Sequence, residues 1–118
     1  MKIYVAGPYC PKDCAPHEVI RKAQENVNKA IDAGIRLMDE GHIVFIPHLS
    51  HFIHIRMGSD WGQPFWYQFD LEWLRCCDAI LMLPNWETSH GCTLELQEAK
   101  KLGLMVFHSI EDVGESKK

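Results

Sequence analysis

Apolar positions along the chain follow two rhythms. The opening KIYVA and the run AILMLP, Ala79 to Pro84, are short and largely apolar on both faces, as strands covered on each side by helices require, and Leu104 to His108 predicts the last strand. Gly7-Pro8 closes the first run and Pro84 the second. From about His17 the period lengthens: Val19 or Ile20, Ala23, Val27, Ala30, Ile31, Ile35 and Met38 recur at three- and four-residue steps, which predicts a long amphipathic helix stopped at Gly41. His42 to Ile46 then predicts a second strand, closed by Pro47. Strand, helix, strand in this order is a βαβ unit with a right-handed crossover. Phe65 to Asp78 predicts a helix presenting either Leu71, Leu74 and Cys77 or Phe69, Trp73 and Cys77 to the sheet. Ser89 to Leu102 predicts another, burying Cys92, Leu96 and Ala99 and stopped by Gly103. Pro11 to Pro16 reads as a loop and Pro47 to Pro64 as a long connection. The organisation expected is one domain over 1–110 followed by a frayed, charged tail at 111–118.

Composition narrows the function classes. A chain of 118 residues holds one core and no separate substrate domain. Its net charge of −4, with no basic stripe, argues against a nucleic-acid groove and for a small ligand. No apolar run approaches the roughly 18 residues of a membrane span, and no leader pattern is present. Five cysteines, Cys76 and Cys77 adjacent, make a poor disulfide framework and suit a reducing cytoplasm.

The candidate chemistry gathers where apolar strands end. Neither a dinucleotide nor a P-loop glycine pattern follows the first strand, so Gly7, Pro8 and Tyr9 form a plain strand-ending turn or a close approach to ligand. After Ala79–Pro84, the stretch WETSHGCTLELQEAKKLG turns through Ser89, His90 and Gly91 into a helix, whose N-terminal N–H groups can face an anionic or sugar ligand. Glu95 follows about one turn in, where the helix dipole favours an anion. His48, His51 and His54 sit at three-residue steps, and Cys10, Cys14 and His17 form a second possible ligand set. No acidic or cysteine partner stands at metal-site spacing beside the histidines, so pocket lining or surface polarity accounts for them better, and no metal or cofactor is expected. Trp61, Phe65 and Trp66 suit a pocket wall for a flat heterocycle, the core, or a dimer contact.

Three segments in register, KIYVAGPY, Asp70-Leu71-x-Trp73-Leu74-x-x-x-Asp78, and Ser89-x-Gly91-x-x-x-Glu95-Leu96-x-x-Ala99, resemble the nucleoside 2-deoxyribosyltransferase-like superfamily, which includes the 2-deoxynucleoside 5-monophosphate N-hydrolases. The resemblance covers about residues 1–108. It implies a three-layer α/β sandwich, Rossmann- or flavodoxin-like, with a parallel sheet of four or five strands ordered 2-1-3-4. It also implies cleavage or exchange of the N-glycosidic bond of a nucleoside or nucleotide. Glu95 would be the nucleophile and Asp70 would handle the proton of the leaving base, the two carboxyls converging to roughly 5 to 5.5 Å for a retaining reaction. Tyr4 or Tyr9 would orient Glu95, and a wall formed by Trp61 or Trp66 would raise the pKa of Asp70. Gly7, Pro8, Tyr4, His48, Trp61, Ser89, His90 and Gly91 complete the expected site, in a homodimer or larger assembly. The phosphohydrolase branch follows its first strand with a serine and an arginine, where this chain has Pro8, Tyr9 and Cys10; His90, Arg56 or Lys12 would have to supply charge for a phosphate. Asn85 and Glu87 lie where transferases carry an acidic residue after the third strand. A noncatalytic nucleoside- or nucleotide-binding module and a metal-dependent hydrolase on the three histidines are the rival readings.

Overall fold

The computed structural model describes residues 1–11, 14–58 and 61–115. Its framework is a four-stranded sheet in the order β2-β1-β3-β4, formed by β1 (Lys2–Ala6), β2 (Ile43–Phe45), β3 (Ala79–Met82) and β4 (Met105–Phe107). Every pairing is parallel, with Ile3 opposite Val44 and Ala79, and Ile80 opposite Val106. The strand order is the one expected, with four strands rather than five.

Alternation along β1 separates two cores. Ile3 and Val5 face α1 (Val19–Asp39) and α5 (Ile110–Glu115), packing with Ala30, Ala33, Leu37, Leu81 and Val113. Tyr4 and Ala6 face α3 (Gln63–Leu74) and α4 (His90–Lys101), packing with Leu71, Leu74, Ile80, Cys92, Leu96 and Ala99. Helices therefore cover both faces, in three layers. No helix among the described residues is long and apolar enough to cross a membrane.

The elements differ from the sequence reading in three places, and in a fourth, helix α3, the structure chooses between the two faces it offered. Helix α1 buries a narrow stripe of Ala23, Val27, Ala30, Ala33, Gly34 and Leu37, leaving Ile20, Ile35 and Met38 exposed. Small residues let this helix lie close on the sheet: a Cβ at Gly34 would come within 2.5 Å of Ile46 Cδ1. Helix α3 uses the Leu71 and Leu74 face, and Phe69 and Trp73 are exposed. The connection after Pro47 contains a 3-10 turn (Pro47–Leu49) and α2 (Ser50–Met57). The expected frayed tail is folded over Ile110–Glu115, with Val113 fully buried and the Ser109 hydroxyl accepting the Asp112 N–H at 3.1 Å; residues 116–118 lie outside the described chain.

Candidate functional site

The carboxyl ends of β1, β2 and β3 open onto one cavity of about 1120 Å³. Gly7, Pro8 and Tyr9 after β1, His48 and Ser50 after β2, and Leu83 to Asn85 after β3 contribute to its wall. Gly7 suits the close approach of the two strand ends: an added Cβ would stand 2.8 Å from Leu83 Cδ1 and 3.0 Å from its Cβ, so that side chain would have to shift. Helix α3 adds Trp66, Tyr67 and Asp70, and the start of α4 adds Ser89, His90, Gly91 and Glu95.

Local structure aims Glu95 inward. The Ser89 hydroxyl caps α4 by accepting the Cys92 N–H at 3.3 Å, while Cys92, Leu96 and Ala99 fasten the helix to the sheet. Glu95 shares this buried side and is 8% exposed. The hydroxyl of Tyr4, itself fully buried on β1, donates to Glu95 Oε2. Burial raises the Glu95 pKa to about 8; the Tyr4 hydrogen bond opposes that rise and the Asp70 charge adds to it. The helix N-terminus therefore does not keep Glu95 strongly ionised here, contrary to expectation. Burial likewise lifts Asp70 to about 7, and its Oδ1 is buried without a hydrogen-bond partner among the described residues. With Asp70 near 7 and Glu95 near 8, these two acids facing one cavity hold about one proton between those values. Such a pair can present an anion and a proton donor to the same ligand.

The remaining expected residues divide. The hydrogen bond to Glu95 comes from Tyr4 rather than from Tyr9, whose hydroxyl lies 2.7 Å from His51 Nδ1. Trp66 lines the cavity, whereas Trp61 is 58% exposed, packs on Phe65 and Trp66, and is not part of the wall. Its place outside follows from lying before α3, whose inward turn begins with Trp66. His48 lines the cavity, its Nε2–H directed at the carbonyls of Gly7 and Pro8 at 2.9 and 3.2 Å. Both partners are acceptors, which assigns the ring proton to Nε2. Burial lowers its pKa and keeps the ring neutral. His51 is turned toward Tyr9 and Gln24, and among the described residues no group of three or more histidine, cysteine or acidic side chains is arranged to hold a metal, including His48, His51 and His54 or Cys10, Cys14 and His17. Asn85 lines the cavity and Glu87 does not; Arg56 is outside it, and Lys12 lies outside the described residues.

The structure also brings in residues that the sequence did not single out for the site, Asn26 and Lys29 from α1 with Tyr67 and Thr88, and it places His54 from α2 in the wall. Lys29 supplies an ammonium at the wall. The only sequence signal for it was its polarity on a helix whose opposite side is apolar.

A family model described as "Domain of unknown function (DUF4406)" matches residues 1–108. No curated protein sequence matches the chain. Among solved structures, the 2-deoxyribosyltransferase of the psychrotolerant bacterium Bacillus psychrosaccharolyticus is similar at a TM-score of 0.60 and 27% identity, over 90% of this chain and 69% of that one. The shared architecture is the parallel α/β fold described above.

Proposed function

Because the chain belongs to the DUF4406 domain family and shares the fold of a 2-deoxyribosyltransferase, we propose that it cleaves or exchanges the N-glycosidic bond of a nucleoside or nucleotide. The observation that carries this reading is the buried Glu95 carboxyl, held by the Tyr4 hydroxyl and facing the same cavity as Asp70. One carboxylate oxygen of Glu95 attacks the anomeric carbon. The carbon–nitrogen bond breaks, its electron pair leaves with the base, and Asp70 delivers the proton that neutralises the departing nitrogen. Water or the nitrogen of a second base then attacks the glycosyl ester, giving its proton to Asp70 and releasing Glu95 as carboxylate. The cavity exceeds the roughly 300–1,000 Å³ usual for a small-ligand site, which leaves room for an acceptor beside the sugar.

The reaction uses the pair's one proton on Asp70 while Glu95 is charged. Because burial raises Glu95 above Asp70, the proton at rest favours Glu95, and the reactive form is the less populated placement of the same proton. Tyr4 supports that arrangement, since donation to Glu95 Oε2 stabilises the charged form. Intact mass spectrometry after brief incubation with deoxynucleosides and their monophosphates tests the reading. Wild type is expected to gain a sugar-sized adduct and release free base, and Glu95→Ala to do neither. A panel that yields neither product from wild type overturns it in favour of a noncatalytic binding module.

A further inference from the structure

Helix α3 has two chemically different sides. Trp66, Asp70, Leu71 and Leu74 turn inward, to the cavity or to the sheet. Phe65, Phe69 and Trp73 recur at four-residue steps along the outer side, where they are 44%, 39% and 48% exposed. Trp61, exposed still further, extends this row at its start, its ring 5.0 Å from that of Phe65. Phe65 lies 6.1 Å from Phe69, and at the far end Trp73 stacks on Phe45 of β2 at 5.1 Å. The row is therefore continuous from the segment before α3 to the outer strand of the sheet, where Ile43 is exposed as well.

Its size matches half of a dimer interface. Four rings exposed to about this degree leave roughly 400 Å² of aromatic surface in water, as large as the largest apolar patch of a typical monomer. A standard interface takes about 800 Å² from each partner, and in homodimers about 65% of it is apolar, so the row supplies most of the apolar part. Charge selects the occupant. The polar side chains beside the row on α3 are Gln68, Glu72 and Arg75; Arg75 neutralises Glu72 at 2.8 Å and reaches Glu98 of α4 at 3.6 Å. A lipid surface or an acidic partner calls for lysine and arginine around the rings, and a basic partner for unpaired carboxylates. A two-fold contact instead sets a patch against itself, so it requires a face without an excess of either sign. The outer side of α3 meets that requirement among the described residues.

We propose that the row Trp61, Phe65, Phe69 and Trp73 is the contact surface for a second copy of this chain, in a two-fold dimer that packs α3 against its symmetry mate. Rows at four-residue steps from the two copies interdigitate at a crossing angle of about −50°, with Phe69, the middle ring of α3, nearest the axis. The surface does not depend on the nucleoside reading. It bears on the cavity all the same, because the opposite side of the helix it braces carries Trp66 and Asp70.

Light scattering coupled to size exclusion is expected to give wild type the mass of two chains at micromolar concentration. Phe69→Lys and Phe69→Glu are each expected to give the mass of one chain, since either sets like charges together at the axis, and an equimolar mixture of the two to recover the mass of two. Only a surface that meets its own copy passes this exchange. A single-chain mass for wild type overturns the proposal and leaves the row to a different partner. A two-chain mass that neither substitution alters places the interface elsewhere and overturns it too, as does a mixture that stays single. Wild type also provides a check free of substitutions: the indole N–H signals of Trp61 and Trp73 should stay sharp in NMR spectra beside a soluble paramagnetic agent, and their bleaching overturns the assignment.

Discussion

Ile3 and Val5 on one side of β1 pack with alkyl and aromatic neighbours from α1, α5 and the adjoining strands, whereas Tyr4 and Ala6 on the other side share their layer with the Glu95 carboxyl. One five-residue strand thus serves two environments by alternation alone. The α1 side gains its stability from close packing. The α3–α4 side gives some stability up, because a buried carboxyl is held where charging it is unfavourable. Chemistry and packing are divided between the faces of a single sheet, so substitutions on one should change turnover and on the other stability.

The sharpest test of that division is Glu95→Gln. Turnover should fall by at least about 10³-fold, as expected when a nucleophile is removed, and steady-state kinetics would show it. The same variant should be more stable at pH 8 than wild type. Glu95 is raised from 4.5 to about 8 and Asp70 from 3.8 to about 7, so across this window the folded state binds more protons than the unfolded one and wild-type stability falls as pH rises. Thermal melts should therefore show a gain for Glu95→Gln that is largest near pH 8 and vanishes near pH 4; an equal gain at both would contradict the burial argument. On the opposite face, Leu37→Ala removes a fully buried side chain and should cost about 2–5 kcal/mol by denaturant titration, with kcat/KM of the folded fraction unchanged.

Tyr4→Phe lies between these extremes, since its ring fills the core and its hydroxyl serves the acid. We expect kcat/KM to fall about 10- to 100-fold. The acidic limb of its pH profile should move upward, because the lost hydrogen bond was lowering the Glu95 pKa. The smallest effect is one of profile shape. Wild-type kcat/KM should be bell-shaped with limbs near 7 and 8, the signature of a pair that works with one proton. Asp70→Asn should remove the alkaline limb and leave a single acidic limb set by Glu95, having removed the acid; a bell that survives intact would assign the alkaline limb to another group.

The framework was legible because burial on both faces writes itself into sequence as short apolar runs, carried by β1 and β3, and burial of one helix side as a three- and four-residue period, carried by α1 and α4. Glu95 stood out by its place in the turn-to-helix stretch, whereas Asp70 entered only through the family resemblance, and the environment that the two share was not legible. What escaped depended on contacts between distant segments. Helix α2 buries only His51 while Phe52, Ile53 and Ile55 are exposed, so its apolar residues mark no inward face and its period carried no message. Helix α5 is short, and its one signal was Ser109 placed three residues before Asp112. Tyr4 and Tyr9 were equal candidates for Glu95 until the strand pleat sent one into the α4 layer and the following loop sent the other toward α2. Trp61 and Trp66 were likewise equivalent in composition, and only the start of α3 separates the exposed ring from the buried one.

The central place of β1 also has a bearing on how the chain assembles. Its partner on one side, β2, begins at Ile43, but its partner on the other, β3, begins only at Ala79, and the Lys2 N–H is bonded to the Asp78 carboxylate across 76 positions of sequence. During synthesis the β1–α1–β2 unit can form while the other edge of β1 stands open, with its backbone donors and acceptors unpaired. That edge is closed by the same segment that lies between Asp70 and Glu95 in sequence, so the nascent chain protects its most association-prone strand and brings its two acids together in a single event.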